Sequence, residues 1–425
     1  MNSMYEHAPQ FKALVVFIEH RYYGESIPFG SMEEAFRNTT TLGYFNSAQA
    51  LADYAELILH IKQNLSAENS PVIVIGGSYA GILAAWFRLK YPHVALGALA
   101  SSAPILNFPD ILPRSGYYTI VSKDFRDVSE SCHDTIRQSW SLIDEVASRP
   151  NGLLQLSKKF KACEPLDDSY SLKNYLEGMY AEAAQYDLPL NPRHSVKGIC
   201  DAIDSESTQS TDLLDRVYAG VVAHKGKKKC YDINDSTQSQ SQKYDGWGWQ
   251  CCTEMLYPVG PEINATMFEV EPDYDYNIDD TVEYCREQFG VTPRLHWTIT
   301  EYGGLNIKLV LEKFASNIIF SNGLRDPYSY GGVLENISDS VVSLTTAKGS
   351  HCLDLGDSTS RDPYWLTQQR KAEIKIIKGW IADYNKRMLE LQLEAASSSV
   401  VRISFSSLVG VSVLVLSPQA DVLPN

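Results

Sequence analysis

The stretch from Pro71 to Phe87, PVIVIGGSYAGILAAWF, constrains the fold more than any other part of the chain. The apolar, β-branched run Val72 to Ile75 suits a strand buried on both faces of a parallel sheet, and the segment from about Gly81 to Lys90, stopped near Pro92, suits a buried helix. Between them Gly76-Gly77-Ser78-Tyr79-Ala80 nearly matches G-x-S-x-G, the strand-to-helix turn that exposes a nucleophilic serine. Ala80 stands in place of the last glycine, and Gly81 follows it. Such a turn strains the serine backbone and brings strand and helix together, so it requires small neighbours. It holds Ser78 at the carboxyl edge of the sheet, over a helix N-terminus whose free N–H groups favour an oxyanion. A merely structural glycine-serine turn is the alternative, and the buried strand before it and helix after it favour the nucleophile.

The surrounding pattern repeats the same logic. Residues 13 to 18, ALVVFI, read as another buried strand, and Tyr44 to Gln63 has the spacing of an amphipathic helix, so the first part of the chain is a βαβ unit. The small residues of ALGALASSAP suit a central strand. From about Asn107 to Thr300 the alternation stops, giving way to polar helical segments, aromatic loops and most of the cysteines, as in an inserted helical domain. Strand-like runs return at Asn317 to Phe320 and Val341 to Leu344, and an amphipathic helix spans about Pro363 to Leu393. A doubly wound α/β sheet with an insertion accounts for this order.

A serine needs a general base held by a carboxylate, and in such a sheet the order along the chain is Ser, Asp or Glu, His, each after a strand. Asp326 follows NIIF in SNGLRDPYSYGG, and His351 follows VVSL in TTAKGSHCLDL. Asp354 and Asp357 are rival carboxylates. His20, in EHRYYGE, precedes the serine, so its order favours a structural hydrogen bond; His224 and His296 read as surface or packing residues.

Charge and cysteines narrow the setting. With 37 Lys+Arg against 52 Asp+Glu, the net charge of −15 repels nucleic acid and anionic lipid, and the basic run Lys225 to Lys229 reads as a solvated loop. The 8 cysteines show no CxxC and no zinc-like Cys/His spacing, so a metal is disfavoured; no cofactor is expected. Seven of them lie between Cys132 and Cys285, consistent with disulfides in an oxidising compartment, with about 105 connectivities open. Sequons at Asn38, Asn64, Asn234, Asn264 and Asn336 point the same way. The N-terminal MNSMYEHAPQFK is not a signal peptide, which implies either a missing beginning, the favoured reading, or a cytosolic chain with reduced cysteines. The apolar stretch Ser407 to Leu416 is about half the length of a membrane span, and the tail reads as an unpacked extension.

The segments VVFIEHRYYGESIPFG, GGSYAGILAAWFRLKYPH, ASSAPI, CCTE, FSNGLRDPYS and GSHCLDL, in this order over about residues 11 to 390, resemble the prolyl carboxypeptidase and dipeptidyl peptidase II family of serine peptidases, and within it the plant lysosomal Pro-X carboxypeptidase-like proteins. The resemblance implies an α/β-hydrolase fold, N-terminally truncated, with an inserted helical, disulfide-bearing cap. The boundaries would be core 1–106, cap 107–300, core 301–395 and a divergent tail 396–425. It implies a triad of Ser78, Asp326 and His351 cleaving proline-containing peptides in a lysosome, vacuole or extracellular space. Release of a C-terminal residue is the leading activity, with N-terminal dipeptide release, or an inactive truncated form, as alternatives. It further implies disulfides Cys132 to Cys200, Cys163 to Cys230 and Cys252 to Cys285, leaving Cys251 with Cys352, and it admits a homodimer. The family's early strands, including a GNEG loop that gives one oxyanion donor, precede the point where this sequence starts, so only the Tyr79 N–H would remain. Ile82 and Tyr328 stand where a carboxypeptidase has pocket-lining methionine and tryptophan, implying a reshaped proline pocket.

Overall fold

In a computed structural model the described residues are 3–108, 111–188, 195–205, 212–234, 245–256, 259–260, 266–269, 278–398 and 412–417. Their centre is a parallel six-stranded sheet of order β1-β6-β2-β3-β4-β5. The strands are β1 (Leu14–Glu19), β2 (Val72–Gly77), β3 (Gly97–Ser101), β4 (Ile318–Gly323), β5 (Val341–Thr346) and β6 (Ser412–Ser417).

Because strand side chains alternate, the continuous apolar runs feed two cores. Val72, Val74, Ala98, Ala100, Ile318 and Phe320 enter one cluster, packed against the helices Ser47–Asn64 and Tyr79–Lys90. Ile73, Ile75, Leu99 and Ile319 point the other way, toward Met4 of the helix Ser3–Phe11 and Ile377 and Ile381 of the helix Tyr364–Ser398. The sheet is therefore covered on both faces, as a parallel sheet requires.

The described residues between β3 and β4 are mostly helical. The helices Gly116–Val128, Glu130–Ala147, Ser169–Gln185, Val196–Ile203 and Leu213–Lys225 enclose a separate hydrophobic cluster around Phe125, Trp140, Leu176, Tyr180 and Val217. Two disulfides, Cys132–Cys200 and Cys163–Cys230, staple this cluster, and Cys252–Cys285 joins the helix Gly246–Thr253 to the helix Ile278–Phe289. The expected remaining pair does not form: Cys251 and Cys352 are both free, and Cys352 lies instead against the nucleophile turn.

The tail also departs from expectation. Residues 412–417 are not an unpacked extension but strand β6, inserted between β1 and β2. Leu14 to Glu19 pair with Ser412 to Ser417, and Val72 to Ile75 pair with Ser412 to Val415. A short apolar run has too little length for a bilayer, but it is the right length for a strand. The insertion leaves β1 rather than β2 at the sheet edge.

Candidate active site

All strands run in one direction, so the segments following β2, β4 and β5 emerge at one edge of the sheet. Ser78 follows β2 immediately and caps the helix Tyr79–Lys90 with φ 57° and ψ −128°. A side-chain-bearing residue held there is strained and persists only where the surroundings over-determine it.

The glycines explain how. A Cβ on Gly76 would lie 2.1 Å from the Ala80 carbonyl oxygen, and one on Gly81 would lie 2.8 Å from the Ser101 carbonyl oxygen and 3.1 Å from that of Gly76. The close approach of strand and helix thus falls on positions 76 and 81, and the buried Ala80 methyl is tolerated. This is why the departure from G-x-S-x-G at residue 80 leaves the turn intact.

Asp326 begins the turn after β4 and is fully buried. One carboxylate oxygen accepts from the Tyr328 N–H at 2.9 Å, and the other lies 2.8 Å from His351 Nδ1. Neither rival carboxylate takes that place: Asp354 accepts from the Ser101 hydroxyl at 2.5 Å, and Asp357 is exposed. The second ring nitrogen of His351, Nε2, is buried and has no hydrogen-bond partner among the described residues. Burial alone would lower the His351 pKa, but the Asp326 carboxylate and the neighbouring Cys352 outweigh it and hold the ring well above the ordinary histidine value.

The His351 loop and the serine turn are in contact. A Cβ on Gly77, the residue before Ser78, would meet Cys352 Sγ at 2.7 Å, and the Cys352 N–H donates to the Ser102 hydroxyl at 2.9 Å. From the helical region, the Gln185 carbonyl accepts from the His351 N–H at 3.0 Å. Aromatic rings line the same place: Tyr328 and Tyr186 stand 5.4 and 5.9 Å from the His351 ring, and Tyr117 stands 4.9 Å from Tyr328. Tyr328 is half-buried there, whereas Ile82 is fully buried in the sheet core, so its side chain offers no surface to a ligand.

Other expected residues fall as follows. His20 is buried and hydrogen-bonded within the core, His224 is buried beside Glu182, and His296 is exposed. Asn38, Asn64 and Asn336 are exposed; Asn234 is half-buried and donates to the Pro165 carbonyl; Asn264 lies outside the described residues. Among the described residues no cluster of His, Cys, Asp and Glu is placed to hold a metal ion, and no helix is long and apolar enough to cross a membrane.

Three features of the site were not read from the sequence. One is the Gln185 carbonyl on His351. Another is Arg325, whose guanidinium joins Asp187 at 2.6 Å and approaches Asp124, pinning the Asp326 loop to the helical region. The third is a buried polar network around Tyr79 built by Gln250 and Glu254. Glu254 lies inside the quoted CCTE segment, so its position was visible although its role was not.

A strained serine at a strand-to-helix turn, with a buried carboxylate–imidazole pair in the segments after β4 and β5, fits a hydrolase of the serine type. The comparisons make that class specific. The model of the serine carboxypeptidase S28 family matches residues 1–373. Lysosomal Pro-X carboxypeptidase of Homo sapiens is 38% identical over 394 residues, covering 90% of this chain and 77% of that protein. Prolyl carboxy peptidase like protein 5 of Caenorhabditis elegans is 34% identical over 409 residues (89% and 79%), and thymus-specific serine protease of Homo sapiens is 30% identical over 406 residues (88% and 75%). The chain belongs to the S28 family of serine carboxypeptidases, and is a hydrolase of the serine carboxypeptidase type.

Proposed function

We propose that the chain is a Pro-Xaa carboxypeptidase, removing the C-terminal residue that follows a proline, with Ser78, His351 and Asp326 as its triad. The observation that carries this is the 2.8 Å bond between His351 Nδ1 and the buried Asp326 carboxylate, with Nε2 left unpartnered at the strand ends where Ser78 emerges. In this reading Asp326 keeps the proton on Nδ1, so Nε2 accepts the Ser78 proton as Oγ attacks the carbonyl carbon of the prolyl residue. The tetrahedral oxyanion accepts from the Tyr79 N–H at the start of the helix. The protonated imidazole then gives its proton to the leaving amine, and water repeats the sequence to release the acyl group from Ser78.

The mutually tilted aromatic rings of Tyr328, Tyr186 and Tyr117 offer an apolar wall for a proline ring beside His351. Residues 107–300 act as the cap over an α/β-hydrolase core of 1–106 and 301–395, and the Gln185 contact with His351 supports that arrangement. Relatives named as lysosomal, together with three disulfides, support a secretory route ending in a lysosome or vacuole, with glycans at Asn38, Asn64 and Asn336.

The test pairs an N-blocked Pro-Phe dipeptide with a free-amine Xaa-Pro amide and a fluorophosphonate probe. Cleavage of the blocked dipeptide and labelling at Ser78, both abolished in Ser78→Ala, are expected. Cleavage of only the free-amine amide would instead mark a dipeptidyl peptidase, and undiminished hydrolysis by Ser78→Ala would remove the serine from the mechanism.

A further inference from the structure

Tyr79 follows Ser78, and its backbone N–H is the proposed oxyanion donor; its side chain is 4% exposed and ends in a network that crosses from the sheet to the helix Gly246–Thr253. Gln250 Nε2 donates to the Tyr79 hydroxyl oxygen at 2.8 Å and to Glu254 Oε1 at 2.8 Å, and Gln250 Oε1 accepts from the Tyr23 hydroxyl at 2.5 Å. The Tyr79 hydroxyl also lies 3.3 Å from His20 Nε2.

The polarity of this chain is determined. His20 Nδ1 lies 2.6 Å from the Arg21 carbonyl, so Nδ1 carries the proton and Nε2 is the acceptor. Burial depresses the His20 pKa to about 4, which keeps the ring neutral. Tyr79 therefore donates to His20 and accepts from Gln250. At the other end Glu254 is filled by the Ser47 N–H at 3.0 and 2.8 Å and the Ser47 hydroxyl at 2.6 Å, which anchors it to the N-terminus of the helix Ser47–Asn64. Gln250 is fully buried, and each polar atom of its side-chain amide has a partner. Trp247 adds an edge-to-face contact on the Tyr79 ring at 5.4 Å.

A network so completely satisfied admits one arrangement of the Tyr79 ring. Rotation of the Ser78–Tyr79 peptide out of its strained geometry would carry that ring away from both partners. We propose that Gln250 is a positioning residue for catalysis: it clamps the Tyr79 hydroxyl from the helix Gly246–Thr253 and so holds the Tyr79 N–H in line for the oxyanion. The residues that complete the nucleophile turn are thus shared between sheet and insertion, and docking of that helix is read directly at the oxyanion donor. This rests on the assignment of Ser78 as nucleophile.

The experiment compares the full chain with Gln250→Met, Tyr79→Phe and the double variant, using the N-blocked Pro-Phe dipeptide, the fluorophosphonate labelling rate at Ser78 and thermal unfolding. Each single variant is expected to lower kcat by about 10- to 100-fold, in keeping with a misplacement of up to about 1 Å, with KM changed less than about twofold. The labelling rate should fall in step. The double variant should lose no more than the worse single one, because both break the same clamp. Tyr79→Phe deletes one oxygen and decides the matter if Gln250→Met fails to fold. Unchanged kcat in Tyr79→Phe, multiplicative losses in the double variant, or a loss matched by the unfolded fraction would overturn the proposal. In those cases wild-type labelling at Ser78 leaves the nucleophile assignment standing; absence of wild-type labelling at Ser78 would overturn both.

Discussion

Replacing Gly76 by alanine tests the nucleophile turn at its tightest point. The added Cβ would sit 2.1 Å from the Ala80 carbonyl oxygen, 2.3 Å from its carbon and 2.8 Å from the Gly81 nitrogen, all backbone atoms of the helix that begins after Ser78. Ordinary contact distances are about 3.5 Å, so strand and helix must separate by roughly 1 Å, with Ser78 between them. Overpacking of this kind costs about 1–3 kcal/mol of stability. A shift of about 1 Å at a reacting group costs on the order of 100-fold in rate, the larger effect in functional terms. Gly178, inside the helix Ser169–Gln185, is the control: a Cβ there meets nothing within 4 Å. Gly178→Ala should gain about 1 kcal/mol from helix propensity at unchanged rate. The assay is kcat/KM on the blocked dipeptide alongside thermal unfolding of both variants. A Gly76→Ala enzyme within twofold of wild type would refute the claim that strand–helix approach at residue 76 sets the position of Ser78.

Two further outcomes follow from buried groups and from β6. Glu373, buried and facing Asp354, and Asp124, pushed up to about 8 by burial, both have raised carboxyl pKa values, so the unfolded chain ionises first and stability falls as pH rises above about 4 toward 8; His351, also raised, loses its contribution as pH climbs past its unfolded value near 6.5. Unfolding free energy should fall between about pH 6.5 and pH 8, above the range in which the depressed His20 favours the fold as pH rises, by up to about 1.4 kcal/mol per pH unit for each group within its window, and the unfolding temperature should fall with it; Asp124→Asn should flatten the profile, and a temperature that rises over that range would contradict the assignment. Removing residues 399–425 strips β6 and leaves facing edges on β1 and β2, so the truncated chain should unfold earlier and aggregate, which unfolding and light-scattering measurements would show; an unaltered unfolding temperature would mean that β6 adds nothing to the sheet.

Strand positions, and the places of Ser78, Asp326 and His351 in the segments behind β2, β4 and β5, could be read in advance because each rests on local chemistry: an unbroken apolar run, a small-residue turn, a polar loop behind a strand. The three disulfides came from likeness to a family, since spacing alone leaves the pairing open. The failures are non-local. An even cysteine count invites a fourth pair, yet Cys352 is committed to the wall of Gly77 and Cys251 stays unpaired. A parallel strand takes partners far away in the chain, and nothing in Ser412 to Ser417 names β1 and β2 as its neighbours. Gln250 and Glu254 lie in and just after a segment that reads in the sequence as an aromatic loop; only the fold reveals that it is a helix, with both side chains buried against Tyr79 and Ser47.

The electrostatics of the site set fold and chemistry against each other. The Asp326 carboxylate that orients the imidazole also favours its charged form, so in acid this pair favours the fold while His351 holds the proton that the proposed base must first release. Toward neutrality the base is freed, and the same pH change ionises the buried carboxyls that the fold prefers neutral. Desolvation is the largest single influence on His351, and it opposes the charged form. In the proposed mechanism a peptide seated over the ring, with its proline against Tyr328 and Tyr186, would remove the remaining water and add to that influence, shifting the imidazole toward its neutral form without touching the bond to Asp326. Under the proposed mechanism substrate binding itself thus supplies the free base, and the helical region and the sheet must be held in register for that burial to occur.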